Sequence, residues 1–156
     1  MRWKWSLEPL FESAAMFNAS DALEFHVTGE NFSGSQGLSV LVVEDHALIA
    51  LDLEAMLLDF GAARVLVANS VDQALRLVAT SGVDAAILDI RIDSGTSLKV
   101  AAALHDKGIP FAFASGYRKM DIIPDEFHTH LLIEKPYTES DVRTIWRALT
   151  STSGTH

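Results

Sequence analysis

From Leu38 onward, short apolar runs alternate with longer stretches of helical periodicity. The apolar runs are Ser39 to Val43, Arg64 to Ala68, Ala85 to Leu88, Phe111 to Ala114 and His130 to Ile133. They are nearly continuous rather than alternating in polarity, which suits strands buried on both faces. Between them the spacing predicts helices. The first runs from about His46 to Phe60, with Leu48, Leu51, Ala55 and Leu58 as its apolar face and Gly61 as its stop. The second opens with a capping box, Ser70 followed three residues later by Gln73, and ends near Gly82. The third spans about Ser97 to Lys107, with Gly108 just beyond. A fourth, short and poorly patterned, is expected near Arg118 to Ile123, broken by Pro124. The fifth is opened by Thr138 with Asp141 and carries Val142, Ile145, Trp146 and Leu149 at helical spacing. Five strands alternating with five helices predict an α/β fold with a doubly wound parallel sheet.

Residues 1–37 differ from the rest. They hold scattered aromatics, a Pro and a weak helical pattern over Leu7, Leu10, Phe11, Ala14 and Phe17. They end in Asn31-Phe32-Ser33-Gly34-Ser35-Gln36-Gly37, which reads as a flexible linker. The expected organisation is therefore an N-terminal extension over 1–37, one domain over 38–150 and a disordered tail over 151–156.

Composition narrows the function classes. Twelve basic against 21 acidic residues give a net charge of −9, which argues against a general nucleic-acid binder. The chain lacks cysteine, so disulfides and thiolate metal sites are excluded. Glu8, Pro9 and Glu12 interrupt any secretory apolar stretch, and no run approaches the ~18 apolar residues of a membrane span. A cytoplasmic protein without membrane attachment is expected.

Four of the apolar runs end in a residue able to do chemistry: Glu44-Asp45, Asp89, Ser115 and Lys135. On parallel strands these groups gather at the carboxyl edge, where open α/β sheets bind ligands. Three converging carboxylates repel unless a cation intervenes. An oxygen-rich ligand set suits a hard divalent cation, above all Mg²⁺. A carboxylate such as Asp89 can also attack phosphorus to form an acyl phosphate. Helix capping by the acids, and a solvated strand-end position for Lys135, are the structural alternatives.

These motifs, in this order, resemble the receiver domain of bacterial two-component response regulators over about Gly37 to Leu149. The stretch Phe113-Ala114-Ser115-Gly116-Tyr117 is similar to a subgroup with Phe-Ala-Thr-Gly-Tyr after the fourth strand. The resemblance implies a flavodoxin-like, CheY-like sheet of strand order 2-1-3-4-5. It implies Asp89 as phosphoacceptor, Lys135 and Ser115 as its catalytic partners, and a cis peptide at Lys135-Pro136. It also implies Mg²⁺ held by Asp45, Asp89 and the backbone carbonyl of Arg91, with Glu44 acting through water. A histidine kinase or histidine phosphotransfer protein would supply the phosphoryl group, and slow self-hydrolysis would remove it. The face of the fourth helix, fifth strand and fifth helix would then bind a downstream protein. No separate output domain is expected, so direct DNA regulation is not.

The sequence departs from the pattern in two places. Asp93 replaces the usual Pro four residues after the phosphorylated Asp, adding an acid and suggesting a mobile loop. Leu132 stands where an aromatic switch residue often sits, and Tyr117 or Tyr137 is a candidate substitute. Of the remaining polar residues, His46 reads as a surface histidine. His128 and His130 read as sharing a strand face, Arg143 and Arg147 as a solvated helix face, and Trp146 as core. Two rivals remain: an unphosphorylated receiver-like interaction module, or a phosphate sink in a phosphorelay. An aspartyl-phosphate phosphatase is disfavoured because Arg91, not an acid, lies two residues after Asp89.

Overall fold

A computed structural model describes residues 37–116 and 122–152. Five parallel strands form the sheet: β1 (Ser39–Val43), β2 (Arg64–Ala68), β3 (Ala85–Asp89), β4 (Phe111–Ser115) and β5 (Leu131–Glu134). Their order is β2-β1-β3-β4-β5, the expected doubly wound topology. The helices are α1 (Ala47–Asp59), α2 (Val71–Thr80), α3 (Leu98–Asp106) and α4 (Glu139–Thr152). The stretch expected as a fourth helix lies mostly outside the described residues. Beyond it, past Pro124, lies a 3₁₀ turn, Asp125–Phe127.

Period-two alternation gives each strand two buried faces. Leu41, Val43, Leu88, Phe111 and Phe113 pack with Val78, Val100, Leu104 and Phe127 on one side. Val40, Val42, Ile87, Ala112 and Ile133 pack with Leu53, Leu57, Trp146 and Leu149 on the other. Trp146 is fully buried, and its indole N–H donates to the Phe60 carbonyl at 3.1 Å, closing the end of α1.

The capping signals hold. Ser70 accepts the Gln73 N–H at 3.4 Å, although Gln73 reaches back to Asn69 N rather than to Ser70 N. At α4 the box is reciprocal: Asp141 accepts from Thr138 N at 2.7 Å, and Thr138 Oγ1 accepts from Asp141 N at 3.3 Å.

Three expectations are corrected. The face of α1 read as apolar from Leu48, Leu51, Ala55 and Leu58 is its outward face, while Ala50, Leu53 and Leu57 are buried. Both faces of α1 are apolar, so periodicity alone could not choose between them. His128 and His130 precede β5 rather than share a face of it. His128 Nε2 sits 2.7 Å from the Ile123 carbonyl, and His130 stacks on Phe111 at 4.1 Å. Arg143 is not simply solvated, since it lies over the Phe60 ring at 4.4 Å and pairs with Glu139 at 2.5 Å.

Candidate functional site at the carboxyl edge of the sheet

The parallel register brings the four expected groups to one edge. Asp89 closes β3 opposite Ala114, and Ser115 closes β4 opposite Glu134, one residue before Lys135. The Lys135 N–H donates to the Ser115 carbonyl at 2.8 Å, which locks the end of β5 to that of β4. The Lys135-Pro136 peptide is cis, as expected.

Lys135 is the hub. Its Nζ donates to Asp89 Oδ2 at 2.6 Å and to Glu44 Oε2 at 2.5 Å. Glu44 is 3% exposed, Asp89 8% and Ser115 8%, so this is a buried charge cluster open at one mouth. Burial works against the lysine's charge, but its two carboxylate partners outweigh it and hold the ammonium protonated above its usual range. One ammonium shared by two carboxylates leaves Asp89 short of compensation. Burial therefore raises the Asp89 carboxyl above its usual value despite the Lys135 contact.

Asp45 is held differently. It accepts the Asp93 N–H at 2.6 Å and lies 3.1 Å from His46 Nδ1. Burial opposes its ionisation, yet these hydrogen bonds prevail and depress its pKa. His46 is raised by the hydrogen bond and charge of Asp45, then by Glu44, which also accepts the His46 backbone N–H at 3.0 Å. The Arg91 N–H donates to the other Asp89 oxygen at 3.1 Å, fixing that carboxylate's orientation. The loop expected to be mobile is instead a small antiparallel hairpin, Arg91–Ile92 against Gly95–Thr96. The Asp93 bond and a 3.2 Å contact from Val71 N to Ser94 Oγ tie it down.

The donor chemistry fits a divalent cation. Atoms of Glu44, Asp45 and His46 lie within 4.8 Å of one another, and Asp89 adjoins them across Lys135. His46 is the exposed surface histidine expected beside the acid pair, but sequence reasoning missed the Glu44–Lys135 ion pair and the direct contacts of His46 with both acids. Adjacency in Glu44-Asp45-His46 signals the His46 contacts, whereas no local signal exists for the ion pair. It also missed the Tyr137 hydroxyl, which is buried with no hydrogen-bond partner; burial pushes its pKa up to about 12. Tyr117, the other candidate switch, lies outside the described residues. Leu132 packs against the β3–β4 side of the core beside Phe113.

A cavity of about 240 Å³ opens over the cluster, lined by Asp89, Arg91, Ser115, Lys135 and His46 among others. A sheet edge with an acid pair, a central Asp, a hydroxyl and a strand-end lysine defines a class, and comparison with known proteins names it. The family model for the response regulator receiver domain matches residues 40–147, and the chain belongs to that family. SdrG from Sphingomonas melonis Fr1 is 36% identical, with a TM-score of 0.63 over 72% of this chain and 96% of that one. The receiver domain of the response regulator PhyR from Erythrobacter litoralis is 24% identical, with a TM-score of 0.69 over 78% of this chain and 95% of its own. A receiver protein from Sinorhizobium medicae WSM419 is 23% identical, with a TM-score of 0.68 over 75% and 97%. At these two lower identities the likeness speaks for the fold alone. No curated protein sequence matches the chain. Among the described residues, no helix is long and apolar enough to cross a membrane.

Proposed function

We propose that residues 38–150 form a phosphoacceptor receiver domain in which Asp89 takes a phosphoryl group from a histidine kinase or a histidine phosphotransfer protein. The observation that carries this reading is Lys135 bridging Asp89 and Glu44 at the floor of a cavity that Ser115 also lines. Phosphoryl transfer asks mainly for in-line positioning and charge neutralisation. Asp89 Oδ2, now held by Lys135, is the attacking atom, while the Arg91 N–H keeps the other oxygen in place. Attack forms the Asp89 O–P bond as the phosphohistidine N–P bond breaks, and the proton needed by the imidazole comes from solvent. Lys135 then follows the charge from the carboxylate to the phosphoryl oxygens, and Ser115 donates a hydrogen bond to one of them. Asp45, Asp89 and the Arg91 carbonyl would hold Mg²⁺, with Glu44 acting through water. When bound, the ion would neutralise phosphoryl oxygens on the side opposite Lys135. Slow hydrolysis of the acyl phosphate resets the domain.

This reading places the chain in the subgroup with Phe113-Ala114-Ser115-Gly116-Tyr117, with Ser in the Thr position. It implies a cytoplasmic protein in a phosphorelay, whose phosphorylation changes a surface near β5 and α4 for a downstream partner.

Intact-protein mass spectrometry after incubation with Mg²⁺ and acetyl phosphate tests it. A gain of one phosphoryl group, lost in Asp89→Asn and without Mg²⁺, is expected. No gain, either with the small donor or with candidate kinases, would overturn it in favour of an unphosphorylated interaction module.

A further inference from the structure

His46 brings a ring nitrogen to an acid pair that otherwise offers only oxygen. Its side chain is 72% exposed, so core packing does not decide where the ring lies. Nδ1 nevertheless turns inward, to 3.1 Å from Asp45 Oδ1 and 3.3 Å from Glu44 Oε1. The acids present these two oxygens because their others are committed. Asp45 Oδ2 accepts the Asp93 N–H, and Glu44 Oε2 accepts from Lys135 Nζ. The His46 backbone N–H donates to Glu44 Oε1 at 3.0 Å, which ties the residue to the same acid and limits how far the ring can swing away.

These separations suit an ion as well as they suit hydrogen bonds. An octahedral divalent ion holds its donors at about 2.1 Å, which puts adjacent donors about 3 Å apart. Nδ1, Oδ1 and Oε1 all lie within 4.8 Å of one another, and both nitrogen–oxygen distances are close to that spacing. His46 also lines the cavity of about 240 Å³ with Asp89 and Arg91. Its ring therefore borders the same space as two of the residues assigned to the cation and faces the third, Asp45. The donor set then bears on the metal. Carboxylate, carbonyl and water suit Mg²⁺, whereas imidazole suits later first-row ions such as Ni²⁺ and Zn²⁺. Binding through an unprotonated Nδ1 leaves the Nε2–H pointing to solvent, so no buried donor is stranded.

We propose that His46 is a nitrogen ligand of the cation at the acid pair, taking a position that water fills in an all-oxygen site, and that it biases the site toward first-row transition ions over Mg²⁺. The assignment rests on the cation reading above and deepens it. It does not require phosphoryl transfer, so its test reads the metal alone.

The probe is Mn²⁺, added to the full chain at pH about 8, where imidazole is largely neutral. Electron spin-echo envelope modulation of the bound ion should show a coupled nitrogen. That signal should change when histidine is isotopically labelled and vanish in His46→Ala, a change at an exposed position. Asp45→Asn should abolish Mn²⁺ binding, which fixes the ion at the acid pair. Displacement of Mn²⁺ by Ni²⁺ and by Mg²⁺ then gives the ratio of their affinities. His46→Ala should lower the Ni²⁺ to Mg²⁺ ratio at least about tenfold, or about 1.4 kcal/mol. Loss of ring charge acts on both divalent ions alike, so the ratio isolates the nitrogen. Bound Mn²⁺ without nitrogen modulation, or a ratio unchanged in His46→Ala, would overturn the ligand assignment while leaving an oxygen-only cation site and the phosphoacceptor reading standing. Modulation that persists in His46→Ala would overturn it in favour of another histidine. Mn²⁺ that fails to bind, or binds Asp45→Asn equally well, would overturn the assignment and the cation reading together.

Discussion

The backbone N–H of Asp93 donates to Oδ2 of Asp45 at 2.6 Å, joining residues 48 apart in sequence. The contact has two consequences. It pins the hairpin after β3 against the acid pair, and it occupies a carboxylate oxygen that a cation would otherwise use. The family's usual Pro at this position has no N–H to give.

Asp93→Ala and Asp93→Pro should therefore differ. Both delete the extra acid, but only Pro deletes the donor. If the bond competes with the cation, Asp93→Pro binds Mg²⁺ several-fold more tightly than Asp93→Ala. Isothermal titration calorimetry on the pair isolates the donor, because the charge change is common to both.

Trp146 offers a check on the packing rather than the site. It is fully buried, and its indole N–H satisfies the Phe60 carbonyl at the end of α1. Trp146→Phe leaves that carbonyl unpaired and opens a void where the larger ring was. The two effects together should cost about 2–4 kcal/mol in urea denaturation. Phosphorylation by acetyl phosphate at low temperature should survive, because neither group reaches the carboxyl edge.

The parallel sheet and the site's edge were legible because strands buried on both faces write themselves as apolar runs, each closed by a polar residue, whereas the strand order came from the family resemblance. Glu44, Asp89, Ser115 and Lys135 followed from that grammar. The caps at Ser70 and Thr138 were legible because they are made within a few residues. What failed had a common physical cause. The inner face of α1 could not be told from its outer face because Leu53 and Leu48 are the same residue type, and only the tertiary fold decides which is covered. The Glu44–Lys135 ion pair spans 91 residues, so no local pattern encodes it. His130 was placed in a strand by its apolar neighbours, whereas its stacking on Phe111 depends on a turn that the sequence marks only by Pro124.

His130 gives a pH prediction. Burial, and then the charge of nearby His105, lower its pKa below the ordinary 6.5, while a hydrogen bond with the Phe111 backbone opposes the shift. The unfolded chain thus takes up this proton at higher pH than the folded one. Stability from this residue is fully present above 6.5 and is lost as pH falls below it. His130→Phe keeps the stack on Phe111 and removes the proton. His46 is shifted the opposite way, so the comparison is wild type against variant at each pH. The melting temperature of the wild type should fall further than that of His130→Phe between pH about 7.5 and about 5.5. Parallel curves would show that the histidine ring does not titrate within the fold.

Lys135 supports the sharpest test of the charge cluster, because both buried carboxylates bond to it. Its ammonium bonds to both Glu44 and Asp89, whereas His46 reaches only Glu44 of the two, at 3.3 Å. Lys135→Met keeps the length and apolar stem while removing that charge. Asp89 would then lose its cation, and Glu44 would keep only its contacts with His46. The variant should lose about 1–3 kcal/mol at neutral pH, less than for a fully buried pair because the lysine side chain is 17% exposed. The sign of its pH dependence follows. Burial already raises the Asp89 pKa with the lysine present, and losing the opposing Lys135 contact raises it further, so the folded form binds a proton that the unfolded chain has already released. Stability of the variant should therefore fall as pH rises from about 5 to about 8, more steeply than in the wild type. Millimolar Mg²⁺ should return part of the lost stability, since a cation among the carboxylates replaces the missing charge. Urea melts at several pH values, with and without Mg²⁺, read all three effects. A variant as stable as the wild type at every pH would show that Glu44 and Asp89 find other compensation, and the account of Lys135 as the hub of the cluster would fail.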